Sequence, residues 1–465
     1  MKNHYDIAII GSGPAGMAAA TVASEQGANV ILLDEQTHVG GQIYRAITHQ
    51  SIKNKSILGT DYYNGQSLAD AFIASKAEYI SGATVWQVSP DREIGVSKNG
   101  TAHLFAADQV IIATGSQERP FPIPGWTLPG VMTAGAAQVL LKSSGVTFSD
   151  VVFIGTGPLL FLIAYQYMKA GVPIRAILET TPSINLIKAI PHLTGTLSNL
   201  DALIKGRSWI KELRASGIEF IKNVSDLKLV GSDPLQAAEY FHKGVWKKIK
   251  TANVFLHQGV VPNINLAAAS GCDYEWDDRQ LCWNAVTDEW AGTNVSGISI
   301  AGDSVGIGGA KAAEYQGQIA AFSALHKLGV INEQQRNQNA RSPQKMLAKE
   351  MRIRPFLDTL FQPSAQFRIP QNDKTLVCRC EEVTAGTIRE AVGHGCLGPN
   401  QLKSFTRCGM GPCQGRFCSL TVSEIIAKSR GVPIANLDLL RLRSPVKPLL
   451  LSELANLDMS ASGET

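Results

Sequence analysis

The sequence predicts an α/β protein with two interleaved βαβ units of the nucleotide-binding type and a small, α-rich module towards its C-terminal end. Three observations carry this reading. A glycine fingerprint, Gly11-x-Gly13-x-x-Gly16, sits between an apolar run and a small-residue segment. A second, Gly155-x-Gly157, recurs 144 residues after Gly11 in the same context. Six of the eight cysteines fall between Cys378 and Cys418.

Residues 5–10 (YDIAII) form a short apolar run of the kind that makes a buried parallel strand. GSGPAG follows, then a helix over 17–26, which Gly27 ends, and a second strand over 29–34 (NVILLD). In such a Rossmann-like unit the first glycine permits the tight turn. The second lets the backbone approach a diphosphate at the positive helix N-terminus, and the third lets helix and strand pack closely. Asp34, 18 residues past Gly16, stands where an acid accepts a hydrogen bond from a ribose hydroxyl.

The second unit runs from DVVFIGTGPLL (150–160) through a helix that Gly171 stops to IRAILE (174–179). Leu160 replaces its third glycine, and Glu179 lies near the ribose-acid position, 22 residues past Gly157. No arginine cluster follows to suit a 2′-phosphate, so a nicotinamide ligand would be NAD rather than NADP. An empty scaffold and another adenine nucleotide stay equally open. A third apolar segment, VSGISIAGD (295–303), precedes a glycine-rich turn and a helix over 310–325.

These segments divide the chain into a discontinuous first domain (1–116 and 291–330) and a second nucleotide-binding-type domain (117–290). Residues 331–372 read as a linker with one short helix, because NEQQRNQNARSPQK lacks apolar periodicity. The cysteine module occupies 373–427 and an extension 428–465.

With 45% apolar and 18% charged residues, the 465-residue chain is globular rather than disordered. A net charge of +4, without a basic patch interleaved with aromatics, gives no support to nucleic-acid binding. The glycine-broken apolar run at the N-terminus suits neither a signal peptide nor a membrane span, so a cytoplasmic protein is expected. The nine histidines are scattered. No catalytic acid, base or nucleophile is assigned.

Cys378-x-Cys380, then 32 residues, then Cys413-x4-Cys418 offers four thiolates from two short turns. Thiolates suit zinc or iron–sulfur clusters, and a C-x-C pair is unusual for zinc. Cys408 is a rival ligand, separated from Cys380 by 27 residues, and Cys396 has no partner at ligand spacing. The fingerprint region contains no C-x-x-C, which excludes a dithiol relay there. Cys272 and Cys282 read as buried structural thiols.

With GGQ (40–42), ATG (113–115) and AGD (301–303), the region from about residue 5 to 328 resembles the two-dinucleotide-binding-domain flavoproteins, the superfamily of thioredoxin and glutathione reductases. That resemblance implies FAD in the first fingerprint. Its expected contacts are Gly11, Gly13, Pro14, Ala15, Gly16, Asp34, Glu35, Gly41, Gln42, Val85, Thr114 and Gly115, with Asp303 at the ribityl–diphosphate region. CRCEEVT and GMGPCQGRFC resemble the 2Fe–2S module related to bacterioferritin-associated ferredoxin, implying Cys378, Cys380, Cys413 and Cys418 as ligands, with a zinc knuckle as the alternative.

Both parts together resemble the larger subunits of opine oxidases, hydrogen cyanide synthase and heteromeric proline or hydroxyproline dehydrogenases. GGQIYR (40–45), PGWTLPGVMTAGAAQ (124–138), IGTGPLL (154–160) and RCGMGPCQGRFC (407–418) carry it, and GGQIYR leans towards the opine side. The resemblance implies an electron-transferring FAD/2Fe–2S subunit of an amine dehydrogenase acting on an opine, amino acid or hydroxyproline. The C–N bond would be oxidised in a D-amino-acid-oxidase-like (DAAO-like) partner subunit. It also allows a small ferredoxin-like partner, a second flavin (FMN) or adenine nucleotide at an interface, and a membrane or quinone-linked acceptor reached from the inner-membrane surface. The competing readings are a self-contained NAD(P)H-dependent flavin reductase and a non-catalytic metal- or nucleotide-binding subunit.

Overall fold

The computed structural model describes residues 1–457, so the last part of the expected extension, 458–465, lies outside the described residues. The first sheet has seven strands. Glu78–Ser81, Val30–Asp34, His4–Ile10, Thr101–Ile112, Glu93–Lys98 and Thr84–Val88 lie side by side in that order, and Ile298–Ile300 adds to Thr101–Ile112. His4–Ile10 pairs in parallel with both neighbours, Ile7 opposite Val30 and Gln109. Its apolar run is continuous because both faces are covered.

Helix Pro14–Glu25 is buried on nearly every side, because helix Ala310–Lys327 crosses it away from the sheet. Small residues make the crossing close. A Cβ on Gly317 would lie 2.1 Å from the Ala15 carbonyl oxygen, and one on Gly16 1.8 Å from that of Gly11.

The chain leaves this sheet after residue 112 and returns at Ile298–Ile300, which produces the interleaving. Between them stands a five-stranded parallel sheet in the order Glu219–Ile221, Ile174–Glu179, Val151–Thr156, Asn253–Gln258 and Val131–Thr133. A three-stranded antiparallel sheet over 226–250 flanks it. The return starts earlier than residue 291, since Leu266, Ala267, Cys272 and Ala285 share a core with Ile10 and Ile112 of the first sheet.

The stretch expected to be an irregular linker is mostly a 19-residue helix, Glu333–Met351. A capping box starts it: Asn332 Oδ1 accepts from the Gln335 backbone N–H, and Gln335 Oε1 accepts from that of Asn332. Packing on helix Ala310–Lys327 then holds a helix whose polar composition concealed it.

The cysteine module has its own core, with Val377, Ile388, Leu402, Ile425 and Ile426 around Cys378, Cys396, Cys408 and Cys418. A buried Arg368–Glu424 ion pair secures it to the preceding segment. Trp126 Nε1 donates to the Leu376 carbonyl at 2.8 Å, joining the module to the second domain. The extension straps back over the first domain: the Val446 N–H donates to Trp86 O at 2.9 Å, and Lys447 Nζ to Glu35 Oε2 at 2.6 Å.

Over residues 184–204 the surface is unusually aliphatic, with Ile184, Ile187, Leu197 and Ile204 each more than half exposed. Among the described residues no helix is long and apolar enough to cross a membrane.

Candidate functional site

A cavity opens along the C-terminal ends of strands His4–Ile10 and Val30–Asp34, the place where this sheet topology binds dinucleotides. Gly11, Gly13, Pro14, Ala15, Asp34, Glu35, Gly41, Gln42, Val85, Thr114, Gly115 and Asp303 all line it. Gly16 does not. Its place against the Gly11 carbonyl makes it a packing glycine under the turn.

The cradle is shaped by absent side chains. Gly11, at φ +108°, would carry a Cβ 2.4 Å from the Ala113 oxygen. Gly41, at φ +59°, would carry one 2.8 Å from the Gly13 Cα. The two loops therefore meet backbone to backbone beside the N-terminus of helix Pro14–Glu25. Gly309 and Ala310, at the start of a second helix, face the same cavity.

The acids are more engaged with the protein than the motif implied. Asp34 Oδ2 accepts from the Ser12 backbone N–H (2.6 Å) and hydroxyl (2.7 Å), and Oδ1 from the Gln36 N–H at 2.7 Å. It pins the fingerprint turn to the strand end and keeps one spare lone pair, on Oδ1, for a ribose. Glu35 is held by Lys447. Asp303 Oδ1 accepts from the N–H groups of Gly308 and Gly309, both at 2.9 Å, and Ser116 Oγ donates to its Oδ2 at 3.4 Å.

Three basic residues were missed from the sequence. Arg45 lines the cavity at 8% exposure with its Nε unpartnered, and among the described residues no carboxylate pairs with it. Its Nη2 donates to Gln42 Oε1 at 3.0 Å, and Asp34 and Glu35 attract it without contact, so burial is only partly compensated and a bound diphosphate would complete the pairing. The cavity thus fits FAD. Arg416, from the cysteine loop, also reaches the wall. GGQIYR displayed Arg45, but nothing in the linear sequence brings residue 416 here.

Lys142, the third, is buried behind the cavity and donates to the carbonyls of Gln42 (3.2 Å) and Ile43 (2.8 Å) and to Gln138 Oε1 (3.0 Å). Burial first, and Arg45 second, push its ammonium down from 10.5 to about 7. The folded chain then binds this proton less tightly than the unfolded chain, so the group adds stability as pH rises from about 7 to 10.5 and loses it on the way down. Lys142→Met should remove that rise, roughly 1 kcal/mol per pH unit at most. Urea unfolding of both proteins across this range checks it.

In the C-terminal module the sulfurs of Cys378, Cys408 and Cys418 lie within 4.8 Å of one another. Cys380 is exposed and Cys413 half-buried, and burial first, with Cys413 beside it, pushes the Cys380 thiol up. Hydrogen bonds from Cys408 and Cys418 pull the Cys378 thiol down to about 2, favouring the thiolate that binds metal. Of the four expected ligands, Cys378 and Cys418 stand in this group beside the rival Cys408, while Cys380 and Cys413 lie outside it. Glycine at 411 is required, since a Cβ there would meet that of Cys380 at 2.3 Å. Cys396 donates to the Gly398 carbonyl at 3.4 Å, away from this group. Cys272 and Cys282 are buried free thiols, pushed up by desolvation.

The second fingerprint borders a smaller cavity that its own chain roofs. Leu160 is fully buried in the core. Helix Arg354–Leu360 and the turn after it contribute Arg354, Leu357, Asp358, Phe361, Gln362 and Pro363 to the lining beside Gly157. Asn185 Nδ2 donates to the carbonyls of Leu360 (3.3 Å) and Gln362 (2.9 Å), fixing the roof. Below it His257 Nδ1 stands 2.7 Å from Glu118 Oε2, whose other oxygen accepts from the Gly135 N–H at 2.6 Å.

Two family profiles match, "Pyridine nucleotide-disulphide oxidoreductase" over residues 5–317 and "BFD-like [2Fe-2S] binding domain" over 376–428. An opine oxidase subunit of Agrobacterium tumefaciens (strain Ach5) is 43% identical, covering 99% of this chain and 93% of its own. Hydrogen cyanide synthase subunit HcnB of Pseudomonas protegens is 29% identical over 98% of both. L-Proline dehydrogenase from P. horikoshii, at 19% identity, shares the fold with a TM-score of 0.71 over 97% of this chain and 79% of that one. With its fingerprint cavity shaped for FAD and its thiols gathered in a 2Fe–2S-type module, the chain belongs to the opine oxidase branch of the pyridine nucleotide-disulphide oxidoreductase family.

Proposed function

We propose that this protein is the electron-transferring FAD/2Fe–2S subunit of a heteromeric dehydrogenase or oxidase, receiving electrons from a DAAO-like partner that oxidises an opine or related amino acid. FAD takes up two electrons and can release them singly, and a 2Fe–2S cluster accepts one at a time. The observation that carries this reading is the contact between the two sites. Gln117 Nε2 donates to the Arg416 carbonyl at 2.8 Å and Asn265 Nδ2 to that of Gln414 at 2.7 Å, which seats the cysteine loop against the flavin cavity.

Within this reading Gly11, Gly13, Pro14, Ala15, Asp34, Glu35, Gly41, Gln42, Val85, Thr114, Gly115 and Asp303 hold FAD, with Gly16 beneath them, and Cys378, Cys380, Cys413 and Cys418 hold the cluster. Arg45 and the N-terminus of helix Pro14–Glu25 face the diphosphate, and Asp34 the ribose. The relatives' names as subunits, together with the aliphatic surface over 184–204, support assembly with another chain. The acceptor would be a quinone or another membrane-linked carrier. Leu160 in place of the third glycine of the second fingerprint argues against NADH as the electron donor.

An anaerobic visible spectrum of the purified full chain, with flavin and iron quantified, tests this. Flavin with about two irons per chain, unbleached by NADH, is the expected result. Prompt bleaching by NADH would make the protein a complete reductase instead.

A further inference from the structure

Arg416 sits inside the cysteine loop, between Cys413 and Cys418, yet its side chain is spent on the other site. The remaining arginines of the module have partners. Arg407 Nε pairs with Glu381 Oε2 at 3.0 Å, Arg389 with Asp373, Arg430 bonds the Leu397 carbonyl, and Arg379 lies over the Trp126 ring. Among the described residues the Arg416 guanidinium has neither a hydrogen-bond acceptor nor a carboxylate. It is half-buried and lines the flavin cavity.

Its anchor fixes which end it faces. The Arg416 carbonyl is held by Gln117, the neighbour of Ser116, whose hydroxyl bonds Asp303. Asp34 and Glu35 stand at the adenosine end of the same cavity. Arg416 therefore enters at the Asp303 end, where the ribityl chain leads into the isoalloxazine ring.

We propose that Arg416 is a positioning residue that sets the flavin's reduction potential from within the cluster-binding loop. A guanidinium stays charged at every relevant pH. In a partly desolvated cavity its field favours the more negative, reduced form of a neighbouring flavin over the oxidised one. Because the charge rides on the segment that ligates the cluster, the flavin is tuned only when that loop is folded and seated. The acceptor site thereby makes the donor site ready to be reduced. This inference rests on FAD occupying the cavity.

The test compares the full-length holoprotein with Arg416→Gln and Arg416→Lys by anaerobic redox titration, with FAD and iron stoichiometry and the EPR signal of the reduced cluster measured alongside. Arg416→Gln is expected to keep its FAD, its iron and its EPR signal. Its flavin equilibrium should shift towards the oxidised form tenfold or more, about 30 mV for a two-electron couple. Arg416→Lys, which keeps the charge, should recover most of that shift. A flavin potential unmoved in Arg416→Gln overturns the proposal. So does loss of FAD with an unchanged potential in the fraction retained, which would assign Arg416 to holding the diphosphate. A wild-type chain purified without flavin would overturn this inference and the functional reading together, whereas an unmoved potential in flavin-replete protein overturns this inference alone.

Discussion

Cys413→Ser is expected to remove the iron from the C-terminal module, while Cys408→Ala leaves it in place. Three sulfurs, those of Cys378, Cys408 and Cys418, lie within 4.8 Å of one another with Cys380 and Cys413 in the same module, and a 2Fe–2S cluster takes four thiolates, two on each iron. Two short turns offer them as natural pairs, Cys378 with Cys380 and Cys413 with Cys418. Cys408 lies in the tight group of three sulfurs but at the end of helix Pro399–Thr406, buried to 3% exposure in the module core. Its role in this assignment is to pack. Iron and sulfide analysis with EPR of the reduced protein should show less than a tenth of the wild-type cluster in Cys413→Ser. Because cluster binding contributes to the folding of the module that holds it, the variant should also unfold at a lower temperature. An iron-free Cys408→Ala protein would transfer the ligand role from Cys413 to Cys408.

The second large effect is expected at the flavin turn. Gly11→Ala must place a methyl group 2.4 Å from the Ala113 carbonyl oxygen while holding φ at +108°. Neither partner can yield easily, because both are backbone at the ends of the paired strands His4–Ile10 and Thr101–Ile112. The strain and displaced backbone should cost about 3 kcal/mol and lower FAD occupancy more than tenfold. Gly27 provides the control. It too has a positive φ, +91°, but a Cβ there would meet nothing within 4 Å. Gly27→Ala should lose only about 1–2 kcal/mol to backbone strain and keep its flavin. Bound FAD per chain and thermal unfolding of the two variants separate contact from conformation.

The contrast between those two glycines also shows what could be read from the chain alone. Both βαβ units were legible because each is local: a continuous apolar run, a fingerprint and a helix stop lie within 30 residues of one another. Spacing brought Asp34 to the cavity for the same reason, since it ends a strand, whereas Asp303, in the turn after Ile298–Ile300, was expected from the flavoprotein resemblance. Helix Glu333–Met351 was hidden because its composition is polar and Pro343 lies inside it. Its one local signal was the Asn332-x-x-Gln335 box. Residues 265–285 looked like part of the second domain because nothing in their own pattern shows that they rejoin the first sheet's core. Lys142 and Arg416 were beyond sequence reasoning altogether. Each acts on a loop about 100 or more residues away, and only the folded chain makes them neighbours.

The strap formed by Val446 and Lys447 sets an order of events during synthesis. A ribosome releases the fingerprint, both strands and the helix between them long before it makes these residues, and domains fold as they emerge. The dinucleotide sheet can thus be complete while one wall of its cavity, supplied by Arg416, Val446 and Lys447, does not yet exist. FAD meets its finished site only once nearly the whole chain has left the ribosome. The motif-bearing domain alone thus leaves the cavity unfinished, and the docking of residues about 400 positions downstream completes it.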